Sequence, residues 1–433
     1  MTTNPTSPKK KVFSSYQVLM IVILALLQFT IIVDFMVLSP LGAILMPQLH
    51  MQPNQFGAVV SGYAYSAFIS GILAAGFADK FDRKKMLVFF YIGFIAGTLL
   101  CATAPNFHFL LIARIVTGLF GGVIGSISFA IITDIFAMEV RGRVMGFVQM
   151  ALSASQVLGL PIGLFLANRL SWHAPFWMLV IFCSLVLIMI IRFMKPITGH
   201  LVVKHDVNPF RHLAKTVTNR QYLLAFGTTT LLATGGFMLM PFSSAFSTNN
   251  LGITLDQLTW IYLATGISAL LIGPQIGKLS DKIGKLSVFI AGSTLTIITV
   301  VIYCNLGVTP LGIVMAISVV MFAGISARMI ASSALFTAVP SMQDRGAFMS
   351  LNSSVQQLAG GTGAIIAGYI VVQTPSGKLQ HYDTLGYVVV CTSLITIFMM
   401  YLLNKMVKRI MAARAQASQN AQAAQPAPVA RPA

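Results

Sequence analysis

The sequence predicts an all-α membrane protein: twelve transmembrane helices in two pseudo-symmetric six-helix bundles. Three observations predict it. Uninterrupted apolar runs of about 20 residues, long enough to span a bilayer as a helix, recur along the chain. Lysine and arginine crowd alternate connections between those runs. Polar markers in the first half return in the second at a nearly constant offset.

Of the 433 residues, 56% are hydrophobic and only 9% are charged. A soluble chain has no means of hiding so much apolar surface behind so little charge. The apolar runs cover approximately 16–40, 55–78, 86–105, 107–133, 144–168 and 174–194, then 221–247, 257–277, 286–306, 310–338, 347–373 and 385–404. Their length selects helices, because barrel strands alternate over about ten residues. The polar start "MTTNPTSPKKKVFSS" precedes a run without a small-residue cleavage pattern, which reads as a retained first span rather than a secretory signal. The expected organisation is a cytoplasmic tail over 1–15, a bundle over 16–194, a linker over 195–220 carrying His200, His205 and His212, and a second bundle over 221–404. The tail over 405–433, rich in Ala, Gln and Pro beyond 412, is expected to be disordered. Cys101, Cys183, Cys304 and Cys391 lie in or at the ends of apolar runs and match no metal spacing, so reduced packed thiols are expected.

The formal charge of +18 is distributed by topology. Alternate connections and both tails carry 24 of the 28 bases, whereas the opposite connections carry only Arg169 and Lys378. This is the positive-inside pattern, and it puts both termini in the cytoplasm, as expected for a bacterial inner-membrane protein. It also removes the need for a nucleic-acid partner.

The halves read as copies. "AGFADKFDRKK" follows the second run and "GKLSDKIGK" the eighth, with Asp79 and Asp281 202 residues apart. "VRGRVMGF" follows the fourth and "DRGAFMSL" the tenth, with Arg141 and Arg345 204 apart. Cys101 and Cys304 fall 203 apart. Parallel repeats of this kind are a transporter architecture.

At these residues the chain resembles the major facilitator superfamily of twelve-helix secondary transporters, over roughly 16–404. The family's loop between its second and third helices reads G-x-L-A-D-R-x-G-R-[KR]. Gly277, Asp281, Lys282, Gly284 and Lys285 fit it closely; Asp79, Lys80, Arg83 and Lys84 keep its charges, with Ala75 and Asp82 at the two glycine positions. "RIVTGLFGG" is similar to the R-x-x-q-G motif, retaining Arg114 and Gly118. "GLPIG" is close to the antiporter motif G-P-x-x-G, with Leu160 between Gly159 and Pro161. "DFMVLSPLGAILMPQL" is like the proline-spaced motif of drug/proton antiporters and sugar-efflux permeases. The resemblance implies export by alternating access. It also implies that Asp79 helps latch the halves in the outward-open state; Gly159 and Pro161 read as packing, with gating as the alternative.

Charges inside spans are costly and mark function. Three stand out: Asp34, Arg114 and Arg328. Asp34 lies about 27 Å along its span, and Arg114 about 12 Å inside the opposite end of an antiparallel one, so the two can meet. Asp34 then reads as the proton-coupling carboxylate with Arg114 tuning it, as half of a static salt bridge, or as a solvated residue near Pro40. Arg328 binds an anionic substrate group or pairs with a helix C-terminus. Gln149, Ser153 and Gln156 share one helical face, as do Asn352 and Gln356; they line a substrate cavity or bond between helices. Small residues at i+4 (Gly118, Gly122, Ser126; Gly360, Ala364, Gly368) read as close helix packing.

The expected function is secondary active transport, proton-coupled efflux of drug-like compounds or sugars, with proton symport of a metabolite as the rival. No phosphate loop, nucleophile–base set or metal cluster supports an enzyme or an ATP-driven pump, and neither linker nor tail is a signalling domain. The expected partners are a small-molecule substrate, protons and the lipid bilayer; the chain is expected to act as a monomer without cofactor or metal. Asp79→Asn is expected to impair transport more than Lys85→Ala in vesicle assays. Equal, normal activity of both variants returns the loop to plain anchoring.

Overall fold

The structure, a computed structural model, describes residues 13–77, 81–198, 215–341 and 344–423. Among these, eleven helices are long and apolar enough to cross a membrane. A twelfth, Arg345–Ile370, has 26 residues but is made more polar by Asn352, Ser353, Ser354, Gln356 and Gln357. We number the spans 1 to 12 in chain order.

Span 1 (Ser15–Gln48) opens on a capping box between Ser14 and Gln17 and runs through Pro40 and Pro47. It therefore extends eight residues beyond the end expected at 40. A proline deletes one helical hydrogen bond, and surrounding helices hold the rest of the ladder together. Spans 2 (Pro53–Phe77), 3 (Arg83–Ala102) and 4 (Phe107–Ile135) are continuous. Span 5 is composite: Met138–Ala154, a π turn over Ser155–Gly159, then Leu160–Arg169. The Leu160 N–H bonds back to the Ser155 carbonyl, a five-residue step just ahead of Pro161, which has no N–H to give. Span 6 is Ala174–Phe193.

Span 7 (Arg220–Asn249) tightens to a 3-10 turn at Met240–Phe242, around Pro241. Span 8 (Leu255–Ile283) stops at Gly284, whose φ of 94° lies in the left-handed region that suits glycine. Spans 9 (Lys285–Cys304) and 10 (Leu311–Ala338) follow. A two-residue hairpin pairing Val372–Gln373 with Leu379–Gln380 joins span 11 (Arg345–Ile370) to span 12. Span 12 (Tyr382–Ala423) continues well into the segment expected to be disordered. Arg414 gives this a physical reason: it donates to the carbonyls of Ala338, Val339 and Pro340, capping the end of span 10.

The apolar core branches. One cluster joins both halves at the ends of the spans remote from the chain termini, running from Val37 and Phe56 to Phe242 and Leu258. Toward the face bearing the termini it divides into two separate clusters. One holds Met20, Tyr91 and Ile190 of the first half, the other Phe226, Phe289 and Leu403 of the second. Several hydrogen bonds between the halves lie at that shared end, and one between Tyr65 and Thr362, at 3.2 Å, lies nearer the middle of spans 2 and 11. Ser39 donates to the Met240 carbonyl, Ser244 to the Ser39 carbonyl at 2.7 Å, and Asn168 to the Leu255 carbonyl at 2.9 Å. Span 2 lies along span 11 through glycine: a Cβ at Gly57 would stand 2.6 Å from the Ala364 carbonyl oxygen, and one at Gly368 2.8 Å from that of Pro53.

Span 4 is seated on span 2 in the same way. A Cβ at Gly118 would fall 2.3 Å from the Tyr63 carbonyl oxygen, and one at Gly122 2.6 Å from the Ala67 Cα, whereas Gly125 has open space. Gly118→Ala is therefore expected to destabilise the protein by about 1–3 kcal/mol, the usual range for overpacking. Gly125→Ala is expected to be neutral or stabilising by up to about 1 kcal/mol. Thermal unfolding in detergent checks both, and equal midpoints would show that span 2 yields freely.

Candidate functional site

Asp34 and Arg114 meet. Arg114 Nη1 donates to Asp34 Oδ2 at 2.8 Å and lies 3.3 Å from the backbone carbonyl of the same residue. The side chains are 0% and 1% exposed, so the pair is sealed inside the first bundle. The sequence-derived picture of a pair on a cavity wall, or of a solvated Asp34 near Pro40, gives way to an enclosed one. Asp34 sits where the core branches: Val33 and Val37 belong to the shared cluster, Ile31 to the cluster of the first half.

Neighbouring spans complete the enclosure. The Tyr63 ring of span 2 lies 4.7 Å from the guanidinium carbon, a cation–π contact. Thr98 of span 3 stands 3.4 Å from Asp34 Oδ1, but its hydroxyl is better placed to donate to the Phe94 carbonyl, at 2.9 Å. A threonine hydroxyl has one proton, so Oδ1 is the less satisfied carboxylate oxygen. A proton arriving there could be donated on to Thr98 Oγ1, which keeps its acceptor capacity. Protonation would also weaken the charge-assisted bond to Arg114, leaving the guanidinium its carbonyl contact and the Tyr63 ring. The arrangement thus links protonation to the packing of spans 1, 2, 3 and 4.

The π turn of span 5 touches the same place. A Cβ at Gly159 would stand 2.3 Å from Val33 Cγ2, next to Asp34, and the Ser155 hydroxyl, which donates to the Ala151 carbonyl at 2.7 Å, lies 3.3 Å from the Phe29 carbonyl. On its other side the turn meets the second half, where a Cβ at Gly266 of span 8 would lie 2.6 Å from the Gln156 carbonyl oxygen. One irregular turn therefore contacts both the ion pair's helix and the opposite bundle.

The family profile of the Major Facilitator Superfamily matches residues 24–246 and 224–429. The chain belongs to the Major Facilitator Superfamily. The uncharacterized MFS-type transporter YceJ of Bacillus subtilis (strain 168) is 32% identical over 271 residues, 62% of this chain and 68% of that protein. A protein of Mannheimia succiniciproducens named "Probable sugar efflux transporter" is 22% identical over 354 residues, 81% of this chain and 86% of its own. Among solved structures, a D-xylose-proton symporter matches with a TM-score of 0.73 at 16% identity, over 89% of this chain and 97% of that one. These likenesses establish a transporter rather than an enzyme, on a twelve-helix, two-bundle fold.

The remaining residues singled out from sequence are dispersed. Gln149 and Gln356 are exposed, while Ser153 and Gln156 are half-buried. The π turn takes Gln156 out of the regular register that would align it with Gln149 and Ser153. Asn352 is buried and accepts a 2.7 Å bond from Thr229, joining spans 11 and 7. Pro161 is buried at the start of the segment after the π turn. Arg328 is buried in the second bundle, with the Phe289 ring 5.9 Å from its guanidinium carbon.

Asp79 and Lys80 of this Major Facilitator protein's loop lie outside the described residues. Asp82, in the usual glycine place, caps span 3: its Oδ1 accepts from Lys84 N at 2.9 Å and from Ile197 N at 3.0 Å. Arg83 Nε bonds Asp134 at 3.2 Å, joining spans 3 and 4, and Lys84 Nζ caps the Ile191 carbonyl at 3.0 Å. In the second copy Lys285 reaches Asp281 at 3.8 Å on the surface, Lys282 is exposed, and Gly277 has no neighbour within 4 Å of a built Cβ. Tyr63 and Thr98 were not legible as site residues, since a tyrosine and a threonine in apolar spans look like ordinary packing.

Arg114→Met or Asp34→Leu alone strands a buried charge and is expected to cost about 3–5 kcal/mol. The double variant removes both charges and is expected to recover most of that loss. Unfolding midpoints of the three variants, taken at one pH, check the coupling; additive losses would show that the two groups act independently.

Proposed function

We propose that the protein is a proton-coupled exporter of small organic molecules, drug-like compounds or sugars, working by alternating access. The observation that carries this reading is the enclosed Asp34–Arg114 pair at the branch of the core. A carboxylate held there exchanges its proton only when the surrounding spans part, so protonation and conformation are linked. The 24-to-2 distribution of bases supports cytoplasmic termini. On that orientation the shared cluster, with the Ser39 and Ser244 hydrogen bonds, is an outer seal and the divided cores open inward.

In this reading the cycle has two charge states. With Asp34 ionised, its bond to Arg114 holds span 1 against span 4, and the cleft accepts substrate from the cytoplasm. Opening to the outside lets a proton reach Asp34 and releases the substrate. The protonated carboxyl loosens its hold on Arg114, and the return to the inward form delivers the proton inside. Export as the direction is supported by the "GLPIG" segment, whose Gly159 closes the π turn and whose remaining residues open the helix after it, and by the efflux name of the Mannheimia relative.

In proteoliposomes with an imposed pH gradient, sugars, amphiphilic compounds and neutral drugs are the panel to test. The wild type is expected to drive at least one of them uphill against proton movement. Asp34→Asn is expected to lose gradient-driven accumulation while retaining exchange down the substrate's own gradient. Unchanged uphill transport in Asp34→Asn removes that residue from coupling, and co-movement of substrate and proton selects symport.

A further inference from the structure

Arg328 is the charge that the Asp34–Arg114 pair leaves unexplained. It is 5% exposed, and its Nε is sealed from solvent without a hydrogen-bond partner. Among the described residues no carboxylate or carbonyl bonds to its guanidinium; its one neighbour of note is the Phe289 ring. The sequence-level alternative of pairing with a helix C-terminus is therefore not realised there. A second polar group on the facing helix is equally unsatisfied. Ser293 is 0% exposed and its hydroxyl has no partner. Phe289 and Ser293 are one turn apart on span 9, hence on one face. That helix comes close at this level: a Cβ on Gly292 would stand 2.6 Å from the Ala327 Cβ and 3.2 Å from the Arg328 backbone nitrogen.

A buried cation with no counter-charge, on a helix packed against one that carries an enclosed hydroxyl with no acceptor, is an unfavourable arrangement for the protein alone. Both groups donate, and both are satisfied by the same thing, an anionic oxygen group. Guanidinium suits a carboxylate or sulfonate in particular, because its fork bonds two oxygens at once. We propose that Arg328 and Ser293 form the recognition site for the carboxylate or sulfonate of a small organic substrate. This rests on the transporter reading and narrows it: the transported molecule is an organic anion, such as a sugar acid or an aromatic acid, and amphiphilic cations are disfavoured. A neutral ion pair in the first bundle and an anion-seeking cation in the second would divide the work between proton and substrate.

The test uses the purified full chain in an uncharged detergent at constant ionic strength, read by thermal unfolding. The probes are gluconate against sorbitol, benzoate against benzyl alcohol, and phosphatidylglycerol added to the detergent. At least one anion is expected to raise the wild-type midpoint in a concentration-dependent way while its neutral partner does not. Arg328→Met is expected to weaken apparent anion affinity at least tenfold, Arg328→Lys less so, and Ser293→Ala a few-fold. Without anion, Arg328→Met is expected to melt at or above the wild-type midpoint, since it removes an uncompensated charge. Any of four outcomes overturns the proposal: equal shifts from anion and neutral partner or none from either, an anion shift that survives in Arg328→Met, Arg328→Met melting well below wild type, or stabilisation by phosphatidylglycerol alone, which would assign the cation to a lipid headgroup. No proton gradient enters this measurement, so its failure and a failure of coupling through Asp34 are separable.

Discussion

The bond between Asp34 and Arg114 sets the terms for the first bundle. Removing two ions from water costs several kcal/mol each even after relaxation, and their attraction offsets that only if the geometry is good and the remaining polar atoms are served. The geometry depends on glycine. Gly97 allows span 3 to meet span 4, since a Cβ there would lie 2.8 Å from the Thr117 backbone nitrogen. Gly118 and Gly121 allow span 4 to meet Tyr63 of span 2. These close approaches bring Thr98 and Tyr63 to the charges and exclude water from them. The same glycine spacing that reads as packing is thus a condition for the electrostatics. The enclosure is incomplete in one respect: Arg114 Nε is buried without a partner. A site with one donor unserved is less firmly locked than a fully bonded pair.

The irregular turns lie where the halves meet. Span 5 widens at Ser155–Gly159 before Pro161, and span 7 tightens at Met240–Phe242 around Pro241. Each proline removes a backbone donor, so a local change of helix type there costs less than it would elsewhere. The π turn sits between span 1 and span 8, and the 3-10 turn receives the Ser39 hydroxyl on the Met240 carbonyl. Hydrogen bonds from serine to carbonyl, unlike an interlocked apolar face, are made and broken at small net cost because water replaces them. The contact between halves therefore combines an apolar core with a few exchangeable polar bonds.

What was legible in the sequence were features with few alternative explanations. A charge in an apolar run is conspicuous, so Asp34, Arg114 and Arg328 stood out and two of them proved to be partners. Run lengths located the spans, and small residues at i+4 located the seams of spans 2, 4 and 11. What escaped depends on three-dimensional neighbours. Pro40 looked like an end because a proline weakens a helix locally, but tertiary contacts carry span 1 on to Gln48. The alanine-rich tail looked disordered because it lacks an apolar stripe; Arg414 supplies the tie that a composition cannot reveal. Asp82 looked like a defect in the loop motif and is a cap with two backbone bonds.

The duplicated halves share a backbone plan but not a charge plan. At the 204-residue offset of Arg141 and Arg345, Arg114 corresponds to Ser318, Asp34 to Met238, and Arg328 to Ile124. All three counterparts are buried and uncharged. Loop markers recur because both bundles are built on one helical plan, and that demand falls on the scaffold equally. A buried charge serves no such demand; it adds cost wherever it stands and persists only where it has a specific partner. In the first bundle the partner is within the chain, which makes the site electrically closed and responsive to a proton. In the second, no partner stands among the described residues, which leaves the site electrically open. Two halves built on one plan thus carry different buried chemistry, a closed ion pair in the first and, among the described residues, an unpaired cation in the second.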